Sequence, residues 1–197
     1  MRQTKDFTLL SRGGQRKYLD PGERDLFASF AKQEDRETRT FCLMLRETGV
    51  RISEGLNLTV DSIDLSSKCV NVETLKKRTR GVYRQIPLSE NFLDELNLVH
   101  QIKEKQKTKK GRKKKLWSFS RRTGGRRIER IMDRAGIKGE QACPKGLRHA
   151  FGVACVLKGI PLPTVQKWMG HASMNTTAIY LQVTGKEERD LAGKLWE

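Results

Sequence analysis

Residues 144–180 read PKGLRHAFGVACVLKGIPLPTVQKWMGHASMNTTAIY. Lys145-Gly-Leu-Arg148-His149 opens the stretch, Gly170-His171 follows after two short helical patterns, and Tyr180 closes it. The apolar residues between these points recur at helical spacing, so two helices packed on one core can carry all three groups to one surface. That surface suits a phosphate. Arg148 presents a planar fork of donors matched to phosphate oxygens, Lys145 and His171 can donate or move protons, and Tyr180 offers a phenol as nucleophile. An Arg-His or Gly-His pair alone would say little.

Two further stretches stand ahead of this one: Glu47-Thr-Gly-Val-Arg51-Ile-Ser-Glu54-Gly-Leu-Asn-Leu58, and a hairpin-like segment around Thr74-Leu-Lys76-Lys77-Arg78. Together the five elements resemble, in order and spacing, the tyrosine site-specific recombinases, or phage-type integrases, from about residue 18 to residue 180. The resemblance implies an α+β, mainly α, DNA breaking-rejoining catalytic domain with a small antiparallel hairpin or sheet. It also implies that DNA strands are cut and rejoined through a 3′-phosphotyrosine, with integration, excision, inversion or resolution as the outcome.

By the same resemblance Tyr180 is the nucleophile and Arg51 and Arg148 neutralise the non-bridging oxygens. Lys76, with Lys77 as the alternative, is the general acid, and Lys145 and His171 assist phosphate binding and proton movement. One element departs from the pattern, since the family most often has His where this chain has Lys145. Glu54 supports that second box and is expected to form an ion pair with Lys145. His149 either orients the site or is a packed structural histidine. The separate N-terminal helical clamp usual in the family is expected to be missing, so the resemblance is to small catalytic-domain-only members, among them the inverting enzymes of fimbrial switches. Double-stranded DNA is the implied partner, bound by a homo-multimer in a tetrameric synapse, with an accessory DNA-binding protein as an open addition. A type IB topoisomerase and a non-catalytic DNA-binding derivative of the fold are the rival readings.

The composition agrees with a polyanionic partner: 40 Lys and Arg against 23 Asp and Glu give a net charge of +17, spread along the chain. Charge alone would fit an RNA-binding protein equally well. The 197 residues suffice for one domain with a sizeable core. The longest apolar run, residues 150–157, is too short to span a bilayer, and no apolar signal segment follows the basic N-terminus. Cys42, Cys69, Cys143 and Cys155 lack ligand or disulfide spacing, which points to a reducing cytoplasm. No GxxxxGK[ST] loop and no acidic cluster for two metals is present, so neither ATP nor another cofactor is expected.

The reading divides the chain into a basic arm (1–17), the catalytic domain (18–183) and an amphipathic tail helix (184–197). The arm is either disordered or touches DNA. Asp20-Pro21-Gly22-Glu23 reads as a helix start with a capping box, and residues 38–48 as a buried helix ended by Gly49. Residues 68–74 and 82–88 read as an antiparallel hairpin whose turn carries Lys76, Lys77, Arg78 and Arg80. A helix from 90 to about 106 should run into a mobile loop at 103–115, where nine of thirteen residues are basic; Lys109, Lys110, Arg112, Lys113 and Lys114 are read as backbone contacts to DNA. Residues 116–119 suggest a short strand. Arg121, Arg122, Arg126 and Arg127 flank the start of a helix with Ile128, Ile131, Met132 and Ala135 on one face, placed to pin phosphates. His100, on a surface helix pattern, carries no functional signal. After Tyr180, Thr184 to Glu187 is a second capping-box pattern, and Leu191, Ala192, Leu195 and Trp196 form an apolar face that docks on its own domain or on a neighbouring protomer.

Overall fold

Asp20 caps α1 (Pro21–Ala31) as the sequence predicts. Its carboxylate accepts the Glu23 N–H at 2.8 Å, the Glu23 carboxylate accepts the Asp20 N–H at 3.0 Å, and Pro21 takes a position where no donor is needed. The structure, a computed structural model, describes residues 8–11, 13–75, 81–183 and 186–195. α2 (Arg36–Thr48) is the central element, with Phe41, Cys42, Leu43, Met44 and Leu45 all buried. A helix apolar on nearly every side has to be wrapped on every side, and α1, α4 (Glu90–His100), α7 (Arg121–Arg134) and α8 (Pro144–Leu157) do so.

The chain then turns through α3 (Ile52–Leu56) into a three-stranded antiparallel sheet in the order β1 (Ile63–Asp64), β2 (Cys69–Glu73), β3 (Tyr83–Pro87). Val70 lies opposite Ile86 and Val72 opposite Arg84. The expected hairpin is therefore present, with a two-residue edge strand added. Its turn, including Lys76, Lys77, Arg78 and Arg80, lies outside the described residues. β3 alternates, Tyr83, Gln85 and Pro87 outward and Arg84 and Ile86 inward.

Residues 90–106 do not form one helix. α4 (Glu90–His100) stops at Gln101, whose φ of 55° breaks the ladder before α5 (Ile102–Lys105). His100 is buried rather than on the surface, and its Nε2 lies 3.0 Å from the Thr40 hydroxyl. The basic tract is not a mobile loop either, because its backbone is anchored. The Gln106 side-chain amide donates to the Val60 and Ile63 carbonyls at 3.0 and 2.7 Å, and the Val60 N–H donates to the Lys114 carbonyl at 2.9 Å. In α6 (Lys109–Arg112), Gly111 sits so close to the Lys105 carbonyl that a Cβ would lie 2.1 Å from its oxygen. The lysines of the tract other than Lys105 nonetheless stay exposed: charge repulsion is relieved by pointing outward, not by unfolding. A single bridge between Thr59 and Lys115 takes the place of the strand expected at 116–119.

α7 (Arg121–Arg134) begins at Arg121, so all four arginines lie inside it, and Gly124 passes within close reach of Phe41 and Phe119. α8 (Pro144–Leu157) is a wall between two cores. Leu147 and Ala150 face the core around α2, while Phe151, Val153, Cys155 and Val156 face a second one with Val165, Met169, Ile179 and Tyr180. α9 (Leu162–Met169) and α10 (Met174–Ala178) lead into a 3-10 turn, Ile179–Leu181. Leu9 enters the second core and Leu10 bridges Arg16, so residues 8–10 of the basic arm are folded onto the domain. α11 (Lys186–Gly193) lies on α8 of the same chain, with Leu191 against the second core and the Lys194 ammonium on the Leu157 carbonyl. Leu195 remains exposed, and Thr184 and Trp196 lie outside the described residues. No helix among the described residues is long and apolar enough to cross a membrane.

Candidate active site

Arg51, Arg148, His171 and Tyr180 come from four separate elements and meet where α8 passes the C-terminal ends of α2 and α9. Arg148 makes this junction. Its guanidinium donates to the Gly49 carbonyl, two residues before Arg51, and to the Met169 carbonyl, two before His171, both at 2.6 Å. These are its only hydrogen bonds among the described residues, leaving three of five N–H donors for a ligand. Burial and then the nearby Arg51 pull Arg148 down to about 10, so it stays charged at neutral pH.

Gly170 ends α9 with φ 62°, a left-handed turn that an L side chain resists, and delivers His171 to the cluster. The His171 Nδ1 lies 3.0 Å from the Thr177 hydroxyl, and its ring stacks on Tyr180 with centroids 6.1 Å apart and planes at 17°. Tyr180 is 1% exposed. Its hydroxyl lies 3.1 Å from the His149 Nδ1, and its ring rests on Gly152, where a Cβ would come within 2.5 Å of Cζ. Burial pushes the phenol up to about 12 although Arg148 and Arg51 pull it down, so Tyr180 is neutral in the free protein. The ring nitrogen of His149 thus meets the phenol.

Glu54 does not pair with Lys145. Its carboxylate, wholly buried, accepts from Arg51 Nη1 at 2.8 Å and the Arg51 N–H at 3.0 Å, and from Arg84 Nη2 at 2.7 Å. Burial raises the Glu54 pKa, but Arg84 and then Arg51 outweigh it, and the carboxyl stays ionised below its usual range. Lys145 is exposed at the first turn of α8, where it lines a cleft of about 490 Å³ with Ile52, Arg121, Arg122, Arg126 and Glu129. The first turns of α7 and α8 hold Arg121, Arg122 and Lys145 and no acid, an arrangement opposed to the helix dipole unless an anion sits there. Arg127 faces elsewhere: its guanidinium lies 4.2 Å above the Phe119 ring and donates to the Thr38 hydroxyl at 2.8 Å, so it supports the fold and is not free for DNA. Arg112 is exposed, though its Nε donates to the Gln106 carbonyl at 2.7 Å.

Arg84 is the member that sequence reasoning missed. It alternates with Ile86 and Leu88 on the inward face, and a charge in phase with buried apolar residues is the signal that could have found it.

A pH dependence follows from the three histidines. Burial, then Lys105, lowers His100 to about 4; burial, then Lys145 and Arg148, lowers His149 to about 4; burial, then Arg148 and Arg51, lowers His171 to about 3. In the unfolded chain each titrates near 6.5, so between about 6.5 and 4 the unfolded state binds more protons and stability falls as pH falls. The melting temperature should therefore decline steadily from pH 6.5 to 5, above the carboxylate range. A flat profile there would contradict the buried neutral histidines.

The family model for the phage integrase family matches residues 17–187. The chain belongs to that family. Among curated relatives, the chain is 31% identical over 155 residues to the tyrosine recombinase XerA of Pyrococcus furiosus, covering 77% of the chain and 52% of the relative. It is 30% identical over 148 residues to XerD of Vibrio vulnificus, covering 71% and 47%. The chain thus spans about half the length of the curated relatives it matches. Its fold superposes on the crystal structure of XerA recombinase with a TM-score of 0.74 at 25% identity, over 90% of this chain and 64% of that one. A XerH site-specific recombinase bound to difH substrate gives 0.70 at 22%, over 95% and 60%. The catalytic domain of bacteriophage HP1 integrase gives 0.65 at 16%, over 91% and 95%. The mainly helical architecture with a small antiparallel sheet is the fold the sequence predicts.

Proposed function

We propose that this integrase is a site-specific recombinase that cuts and rejoins duplex DNA through Tyr180. The observation that carries the reading is the convergence of Arg51, Arg148 and His171 around a single tyrosine. The Tyr180 oxygen attacks the phosphorus, the bond from phosphorus to the 5′ oxygen breaks, and a 3′-phosphotyrosine and a 5′ hydroxyl result. The phenol proton passes to one of the two neutral histidines flanking the ring, His149 or His171, and Lys76 protonates the departing oxygen. Arg51 and Arg148 meet the negative charge that builds on the non-bridging oxygens, where fixed donors in a covered site act most strongly. Tyr180 lies against His149 in the free protein, so duplex binding has to withdraw it toward the phosphate. Because one phosphoester replaces another, the step reverses when a partner strand's 5′ hydroxyl attacks.

The duplex backbone runs along the cleft of Arg121, Arg122, Arg126 and Lys145 and the exposed Lys109, Lys110, Lys113 and Lys114, which neutralise phosphates without reading sequence. Lys145, away from Glu54, serves there as a phosphate contact. Exchange between two duplexes takes several protomers, each cutting one strand. The test uses a duplex selected by the protein from a randomised-core pool. Two molecules carrying that site should yield recombinant junctions on sequencing, whereas relaxation of supercoiled plasmid without junctions would contradict the reading.

A further inference from the structure

Arg84 is a buried cation with an unusual set of partners. Its side chain is 5% exposed, and its guanidinium donates along three directions: to the Glu54 carboxylate at 2.7 Å, to the Thr74 hydroxyl at 3.0 Å and to the Trp168 carbonyl at 2.8 Å. Its flat face lies against Gly170, where a Cβ would stand 3.0 to 3.1 Å from Cζ, Nη1 and Nε. One rigid plate on β3 thus touches α3 through Glu54, the end of β2 through Thr74, and the α9 turn that leads into His171.

Stability does not account for this arrangement. A buried ion pair contributes little that well-packed apolar side chains of similar volume would not, since desolvation offsets the attraction. What the guanidinium supplies is geometry, because only a planar fork can reach three acceptors in three fixed directions. Its charge has a second effect. Glu54 lies between Arg84 and Arg51, and without Arg84 its whole charge would fall on Arg51 and reduce what Arg51 can offer a phosphate.

We infer that Arg84 is a positioning residue of the recombinase site, setting Arg51 through Glu54 and His171 through the Trp168 carbonyl and Gly170. The inference rests on the reading that Arg51 and Arg148 neutralise a scissile phosphate. Moving a catalytic cation by an ångström costs about a hundredfold in rate, and Arg84→Met should slow single-turnover cleavage of the selected duplex by about that factor, with duplex affinity near that of the parent. A methylphosphonate at the scissile position provides the second measurement. It carries no non-bridging negative charge, so a defect arising from a misplaced Arg51 should shrink on it to about tenfold or less, whereas loss of folded protein would slow both substrates equally. Arg84→Lys, which keeps a charge for Glu54 but not the three-way fork, should fall between Met and the parent. Parent-like cleavage by Arg84→Met, or equal defects on the two substrates, would overturn the role of Arg84. A parent protein that cleaves neither substrate would instead overturn the recombinase reading.

Discussion

Tyr180→Phe should bind the selected duplex as tightly as the parent and form no covalent adduct on a nicked substrate, a loss of at least about 10⁴-fold, as expected when a nucleophile is removed. The substitution is nearly silent structurally. A phenylalanine ring keeps the stack on His171 and the contact with Gly152. Only the hydroxyl is lost, and with it the bond to His149 Nδ1. An unpaired buried ring nitrogen costs about 1–3 kcal/mol, so the melting temperature should drop modestly while the protein remains folded. Adduct at the parent level in the Phe variant would mean that another side chain attacks.

Arg148→Lys should lower single-turnover cleavage by about 10³-fold, or about 4 kcal/mol on the barrier, despite the retained charge. Arg148 holds the Gly49 and Met169 carbonyls, which fixes the segments carrying Arg51 and His171, and in the proposed mechanism its three remaining donors meet the phosphate. A lysine has a point charge and three donors from one atom, and cannot bridge both carbonyls while also meeting two phosphate oxygens. Because this is one of 40 basic residues, the affinity for duplex should change little. A loss in affinity as large as the loss in rate would place Arg148 among the backbone contacts instead.

The sequence made the site legible where function demands a residue type at a fixed distance from a helix end. Arg51 follows the Gly49 stop, Arg148 and His149 share the first turns of α8, and Gly170 marks the end of α9 just before His171. Capping at Asp20 was readable for the same reason, since the interaction spans only three residues. What escaped depends on contacts distant in sequence. Glu54 chose Arg84, 30 residues on, over Lys145, because β3 brings a buried guanidinium to a buried carboxylate and Lys145 sits on the outer side of α8. The basic tract reads as loop by charge, yet Gln106, Gly111 and Lys114 tie its backbone to residues 60–63 and to Lys105. Arg127 differs from Arg126 only in the face of α7 it occupies, and that face holds Phe119. The break at Gln101 has no glycine or proline to announce it.

The chain has three tyrosines, of which Tyr18 is buried, Tyr83 is 63% exposed and Tyr180 lies between two histidines. Digesting the trapped adduct and sequencing its nucleotide-bearing peptide by mass spectrometry separates them. One modified peptide is expected, with Tyr180 joined to a 3′ phosphate and a free 5′ hydroxyl on the released strand. Attachment at Tyr18 or Tyr83, a linkage to a 5′ phosphate, or strands cut to free ends with no peptide attached would contradict it.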